Sequence, residues 1–135
     1  MKIETIYPGN KEYQILDDRL VNFNRQHINW DSEIFQVVIY SKNNDLVGGV
    51  RGIVRMGALE IRGLWLDESQ RGTGNGAKVI SRLEAEAKKH GAKSALLDTY
   101  DFQAREFYEQ LGYKVFGTFP YPDGTNRYYM QKLFA

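Results

Sequence analysis

Apolar side chains change their spacing along the chain, and each change marks an element. Tyr13, Leu16, Leu20 and Phe23 recur at intervals of three and four, which predicts a helix from an N-cap at Asn10 to about His27. Before it, Ile3 to Tyr7 reads as a short first strand closed by Pro8-Gly9, and after it Asn24 to Ser32 is polar and irregular apart from Ile28 and Trp30. Phe35–Ser41 and Leu46–Met56 are β-branched and aromatic runs on either side of the turn Lys42-Asn43-Asn44-Asp45, a hairpin signal. Gly48, Gly49 and Gly52 inside the second run predict a bulge or a close backbone approach. Gly57 turns the chain into a third strand, Ala58–Leu66. A helix follows from about Gly74 to His90, with Val79, Ile80, Leu83 and Ala87 as its stripe and Gly91 as its stop. Ser94–Asp98 reads as a buried strand, Ala104, Phe107, Tyr108 and Leu111 as a short helix ended by Gly112, and YKVFGTF and NRYYMQKLF as two closing strands around YPDGT. The predicted order, β-α-β-β-β-α-β-α-β-β, makes an α+β sandwich on one mixed sheet, with a β-α-β crossover supplying the parallel pairing.

A chain of 135 residues fits one domain, 1–135, and is too short for two. With 42% hydrophobic and 26% charged residues it has a globular composition, and a net charge of +1 gives no electrostatic case for nucleic acid or a membrane as partner. The absence of cysteine excludes a disulfide scaffold, a thiolate metal site and a cysteine nucleophile. His27 and His90 lack metal-ligand spacing, so no metal is expected. Neither a signal peptide nor the ~18 apolar residues of a membrane span is present, and the expected location is the cytoplasm.

The chemistry concentrates in Arg71-Gly72-Thr73-Gly74-Asn75-Gly76-Ala77-Lys78. This stretch follows a strand and opens a helix, where unpaired N–H groups and the positive end of the dipole favour an anion. Its glycines let the backbone approach a phosphate. Helix starts usually attract acids, yet from Gln70 to Leu83 there is none, while Arg71, Lys78 and Arg82 are basic. The plain alternative is a glycine-rich turn with solvated basic residues. A P-loop is excluded because Ala77-Lys78-Val79 lacks the Lys-Ser/Thr pair. A dinucleotide fingerprint is a competitor, with Gly72, Gly74 and Ala77 in its pattern and Asp98 where a ribose-binding acid belongs. Against it stand five polar residues, Asp67 to Arg71, ahead of the first glycine, the preceding meander, and only 37 residues after Asp98.

Arg71-x-x-Gly74-x-Gly76, after a strand ending Leu64-Trp65-Leu66, resembles the Arg/Gln-x-x-Gly-x-Gly/Ala motif of the GNAT acyltransferases. The similarity continues through LLDTYDFQAREFYEQLGYKVFG and covers about residues 59–134, with the N-terminal third following by element order. The resemblance implies a mostly antiparallel single mixed sheet with helices on both faces, and transfer of acetyl from acetyl-CoA to a primary amine. The alternatives are a non-catalytic acyl-CoA sensor or a dinucleotide-binding domain.

In the family, backbone N–H groups of the loop hold the pyrophosphate, which maps onto Arg71, Gly72, Thr73, Gly74, Asn75, Gly76 and Ala77. The pantetheine arm pairs with the preceding strand, here Leu64, Trp65 and Leu66, and Asp101, Phe107 and Tyr108 fall beside the cofactor. Family members often have Asn at position 101; Asp101 here is also a good helix cap. Tyr108 matches the general acid that protonates the departing thiolate, or else belongs to the helix's apolar stripe. Glu60, eleven residues before Arg71, matches the offset of a catalytic glutamate, or else pairs with Arg62 or a neighbouring strand. Strand alternation puts Glu60 on one face with Arg62, Leu64 and Leu66. Asn24, Trp30, Tyr121, Asn126 and Tyr128 are candidate walls of the acceptor site. A homodimer is compatible with the family.

Overall fold

The computed structural model describes residues 1–135, which divide into two compact units, 1–31 and 32–135. The first unit contains α1 (Lys11–Arg25). Asn10 caps it, its side chain accepting from the Glu12 N–H at 3.0 Å. Gln14 donates to Asp18 one turn on, and the ring of Phe23 in the last turn sits 4.8 Å from that of His27, just past the helix end. Residues 3–7, expected as a strand, belong to none. The alternation there predicts extended backbone, but a strand exists only through a paired neighbour, and none of these residues joins a ladder.

The second unit holds β1 (Glu33–Tyr40), β2 (Leu46–Arg55), β3 (Ala58–Leu66), α2 (Asn75–Lys89), β4 (Ser94–Tyr100), α3 (Arg105–Gln110), β5 (Lys114–Pro120) and β6 (Asn126–Leu133). The six strands form one mixed sheet in the order β1-β2-β3-β4-β6-β5. Only β3 and β4 run parallel, joined by the crossover through α2; every other neighbouring pair is antiparallel. No helix is long and apolar enough to cross a membrane.

The α2 stripe lands where its period predicts. Val79, Ile80, Leu83 and Ala87 are all buried, against Val50, Val54, Leu59, Ile61, Ala95 and Leu97 of the sheet. Gly52 admits this approach, since a Cβ there would sit 2.8 Å from Leu59 and 3.2 Å from Leu83. Glu84 is the charged exception in the core. It accepts from the Tyr113 hydroxyl at 2.7 Å and from Lys132 Nζ at 2.9 Å, tying α2 to the residue just before β5 and to β6. A buried carboxylate is tolerable only with such partners.

The predicted bulge exists at Val47, the extra residue of β2 against Ile39 and Tyr40, and a second one lies on β3 opposite the glycines. Arg51 pairs with Gly63 and Gly52 with Ile61, so Arg62 is the extra residue. The bulge reverses the alternation. Leu59 and Ile61 face α2, and beyond Arg62 it is Leu64 and Leu66 that do so, as partners of Val50 and Gly48. Glu60, Gly63 and Trp65 point the other way. The expectation that Glu60 shares a face with Leu64 and Leu66 therefore fails, because strict alternation does not survive an inserted residue.

Candidate active site

The parallel ladder between β3 and β4 lasts three residue pairs, Ala58–Ser94, Leu59–Ala95 and Glu60–Leu96. Beyond these the strands part, while β4 keeps seven antiparallel pairs with β6 on its other edge and β3 stays paired with β2. The gap is a cavity of about 370 Å³ between Ile61, Arg62, Gly63 and Leu64 on one side and Leu97, Asp98, Thr99 and Tyr100 on the other. Gln103, Ala104 and Tyr108 complete it. Past Glu60, the β3 backbone edge facing this gap has no strand partner.

Tyr108 comes from α3 and is 6% exposed. Its ring meets Phe107 at 5.1 Å and Tyr113 at 5.9 Å, both edge-on. Its hydroxyl makes no hydrogen bond within the protein, and burial pushes its pKa up to about 12. The start of α3 is set from β4. The Thr99 hydroxyl donates to Gln103 Oε1 at 3.1 Å and accepts from the Ala104 N–H at 3.4 Å, and the Tyr108 N–H donates to the Ala104 carbonyl. Sequence reasoning missed Thr99 and Gln103, whose signal is a polar pair just before a helix.

The glycine loop leads from a short 3-10 turn, Glu68–Gln70, into α2. Thr73 Oγ1 donates to the Gln70 carbonyl at 2.6 Å, and Asn75 Nδ2 donates to Gln70 Oε1 at 2.7 Å. Gly74 occupies the N-cap position with φ +83°, a left-handed conformation that glycine adopts without cost, and offers no capping side chain. The N–H groups of Gly72, Thr73, Gly74, Gly76 and Ala77 have no acceptor in the protein, and the first turn of α2 has no acid. These donors converge at the positive end of a 15-residue helix, which suits a diphosphate. Gly76 has a different role from its neighbours. A Cβ there would lie 3.2 Å from Phe107 and 3.3 Å from Leu66, so this glycine lets α3 and β3 close on the start of α2.

Glu60 does not line the cavity. Its Oε2 lies 2.9 Å from Arg55 and 3.6 Å from Arg62, charge contacts without hydrogen-bond alignment. Asp101 is not the cap of α3, which begins four residues later. Its carboxylate accepts from the Asn126 N–H at 2.7 Å and the Tyr128 hydroxyl at 2.6 Å, bonds that hold its pKa below the usual carboxylate range, the Tyr128 bond foremost. These two bonds involve two of the expected acceptor-wall residues and close β6 onto the end of β4. Tyr121 packs on Phe119 and Tyr100, and Arg127 beside it pairs with Asp98. Asn24 and Trp30 lie in the first unit.

The acetyltransferase (GNAT) family model matches residues 3–113. Blasticidin-S acetyltransferase of Streptomyces morookaense is 33% identical over 102 residues, 74% of this chain and 75% of that protein. An acetyltransferase from Bacillus cereus superposes with a TM-score of 0.86 at 28% identity, over 97% of this chain and 98% of its own. An aminoglycoside 6'-N-acetyltransferase solved with coenzyme A shares the fold, with a TM-score of 0.67 at 20% identity over 98% and 97% of the two chains.

Proposed function

The chain belongs to the GNAT acetyltransferase family, an acyl-CoA-dependent N-acetyltransferase with acetyl-CoA as donor, and from that premise we propose that its acceptor is the primary amine of a small molecule. The observation that carries the site is the end of the parallel ladder at Glu60–Leu96, where the gap between the strands holds Tyr108. Two features support a small acceptor. The gap is the size of a small-molecule cleft rather than an extended channel. Blasticidin-S acetyltransferase, a third identical to this chain, is named for a small-molecule acceptor.

Acetyl-CoA supplies the acetyl group as a thioester, whose thiolate is a good leaving group. In this proposal the N–H groups of Gly72, Thr73, Gly74, Gly76 and Ala77, with Arg71 beside them, hold the pyrophosphate. The unpaired edge of Leu64, Trp65 and Leu66 takes the pantetheine arm as an added strand, and this directs the reacting carbonyl into the gap. Phe107, wedged between Gly76 and Tyr108, lines the route. An attacking amine must be neutral, since an ammonium has no lone pair.

Tyr108, its pKa raised to about 12, stays protonated across neutral pH and donates to the sulfur as the C–S bond breaks. Full transfer to a thiolate of ordinary basicity (~8.5) would be uphill by on the order of 5 kcal/mol. The hydroxyl therefore stabilises the developing charge by hydrogen bonding, and the proton lost by the acylated nitrogen balances the one gained by sulfur. Glu60, the candidate base, has its carboxylate turned to Arg55 and Arg62, which favours a role in fixing those guanidiniums.

The test is thiol release from acetyl-CoA across a panel of small primary amines, with the acetylated product identified by mass. Acetyl-CoA binding without release from any amine would favour the acyl-CoA sensor instead.

A further inference from the structure

A second cavity, of about 390 Å³, lies on the sheet face turned away from α2, over β1, β2 and β3. Its open floor follows from Gly63, where a side chain would meet no other atom. Its walls carry Arg51, Arg62, Gln36 and the half-exposed Trp65 ring, and none of its lining residues is acidic. It shares Arg62, Gly63 and Leu64 with the reaction cavity, so the two meet at the β3 bulge. The insertion that reverses the alternation thus places Arg62 between them.

The charges on this face do not balance. Glu60 is shared by Arg55 and Arg62, and Asp98 is taken by Arg127. Arg51, the cross-strand partner of Gly63 and Gln36, has no anionic partner. Two guanidiniums beside a side-chain amide match a carboxylate, which arginine binds through paired charge-assisted hydrogen bonds. We infer that the acceptor carries a carboxylate as well as its amine, held by Arg51 and Arg62 while the amine reaches past Gly63 into the gap between β3 and β4. Arg51 and Arg62 are thus specificity-determining residues for an amino-carboxylate substrate, an inference that rests on the small-amine reading above.

The experiment uses pairs of primary amines, each an amino acid and its carboxamide, with the wild-type protein and the Arg51→Gln and Arg62→Gln variants. Both side chains are solvent-accessible, so neither change disturbs the core. The wild-type protein is expected to prefer the carboxylate of a pair at least tenfold in kcat/KM. Each variant is expected to lose about ten- to a hundredfold on the carboxylate, mainly through KM, and Arg51→Gln, which lies outside the reaction cavity, to keep the carboxamide rate within about twofold. Acetyl-CoA affinity, measured by calorimetry, should not change. Equal use of both members of each pair by the wild-type protein, or equal losses on both in Arg51→Gln, overturns the inference while leaving the small-amine reading intact. If no amine of either kind releases thiol, the small-amine reading itself fails. This inference then falls with it, an outcome told apart from the first because there the carboxamides are still acetylated.

Discussion

At the scale of single residues, Tyr108 has two physical roles that its hydroxyl separates. Tyr108→Phe keeps the ring against Phe107 and Tyr113 and removes only the donor. Turnover should fall roughly 10²-fold, with acetyl-CoA affinity kept, as measured by steady-state kinetics and calorimetry; near-normal turnover would return Tyr108 to the core. Its raised pKa also bears on stability. The unfolded tyrosine ionises near 10 and the folded one near 12, so the contribution is complete below pH 10 and is lost as pH rises through 12. The Phe variant should therefore unfold less steeply with pH in that window, by urea titration. Glu60→Gln should keep its turnover and pH profile if the carboxylate serves only Arg55 and Arg62. A fall that recovers at high pH, as free amine accumulates, would make it the base. Tyr108 was legible in the sequence because the helix bearing it sits in register with the glycine motif. The face of Glu60 was misread, although the spacing Leu59-x-Ile61-x-x-Leu64-x-Leu66 shows the one-residue insertion to anyone who looks for a phase shift. The cap reading of Asp101 fails because its hydrogen-bond partners, Asn126 and Tyr128, are 25 and 27 residues away.

At the scale of elements, α2 does two jobs with opposite ends. Its N-terminus presents unpaired donors, and its body fills the core and, through Glu84, anchors β6 and the residue just before β5. Gly74→Val puts a branched side chain in the left-handed conformation, a strain of about 1–2 kcal/mol, but meets no other atom. The fold should survive by circular dichroism while coenzyme A binding is lost; parental binding would remove the loop as the phosphate site. Gly76→Val is a different experiment, because it strikes Phe107 and Leu66, and lost binding there would report disturbed packing. Glu84→Ala leaves Tyr113 and Lys132 without their acceptor and should cost roughly 3 kcal/mol in denaturant unfolding. Helices and inner strands were legible from period alone, as the span of β3 and the stripe of α2 illustrate. The failure at residues 3–7 is of another kind, since extended backbone becomes a strand only through a partner that local pattern does not name.

At the scale of the whole molecule, the site is a consequence of topology more than of any one side chain. A β-α-β crossover makes β3 and β4 parallel neighbours, and the closing hairpin then holds β4 along its length while β3 stays with β2. The two strands separate beyond Glu60–Leu96, at the end of the ladder nearest the glycine loop. The sequence order contains that crossover, but no local pattern says where its ladder of three pairs ends. A ligand that bridges the loop and the gap should therefore stabilise the fold as a whole. Acetyl-CoA at a hundredfold excess over its Kd should add about 2.7 kcal/mol to the unfolding free energy. For a domain of this size that is a rise of roughly 10 °C in melting temperature. Coenzyme A should give a comparable shift, since it keeps the pyrophosphate and the pantetheine arm, while a nicotinamide dinucleotide should give none. A rise with the dinucleotide and none with coenzyme A would mean that the loop serves a different phosphate ligand and that the gap beside Tyr108 is not a thioester site.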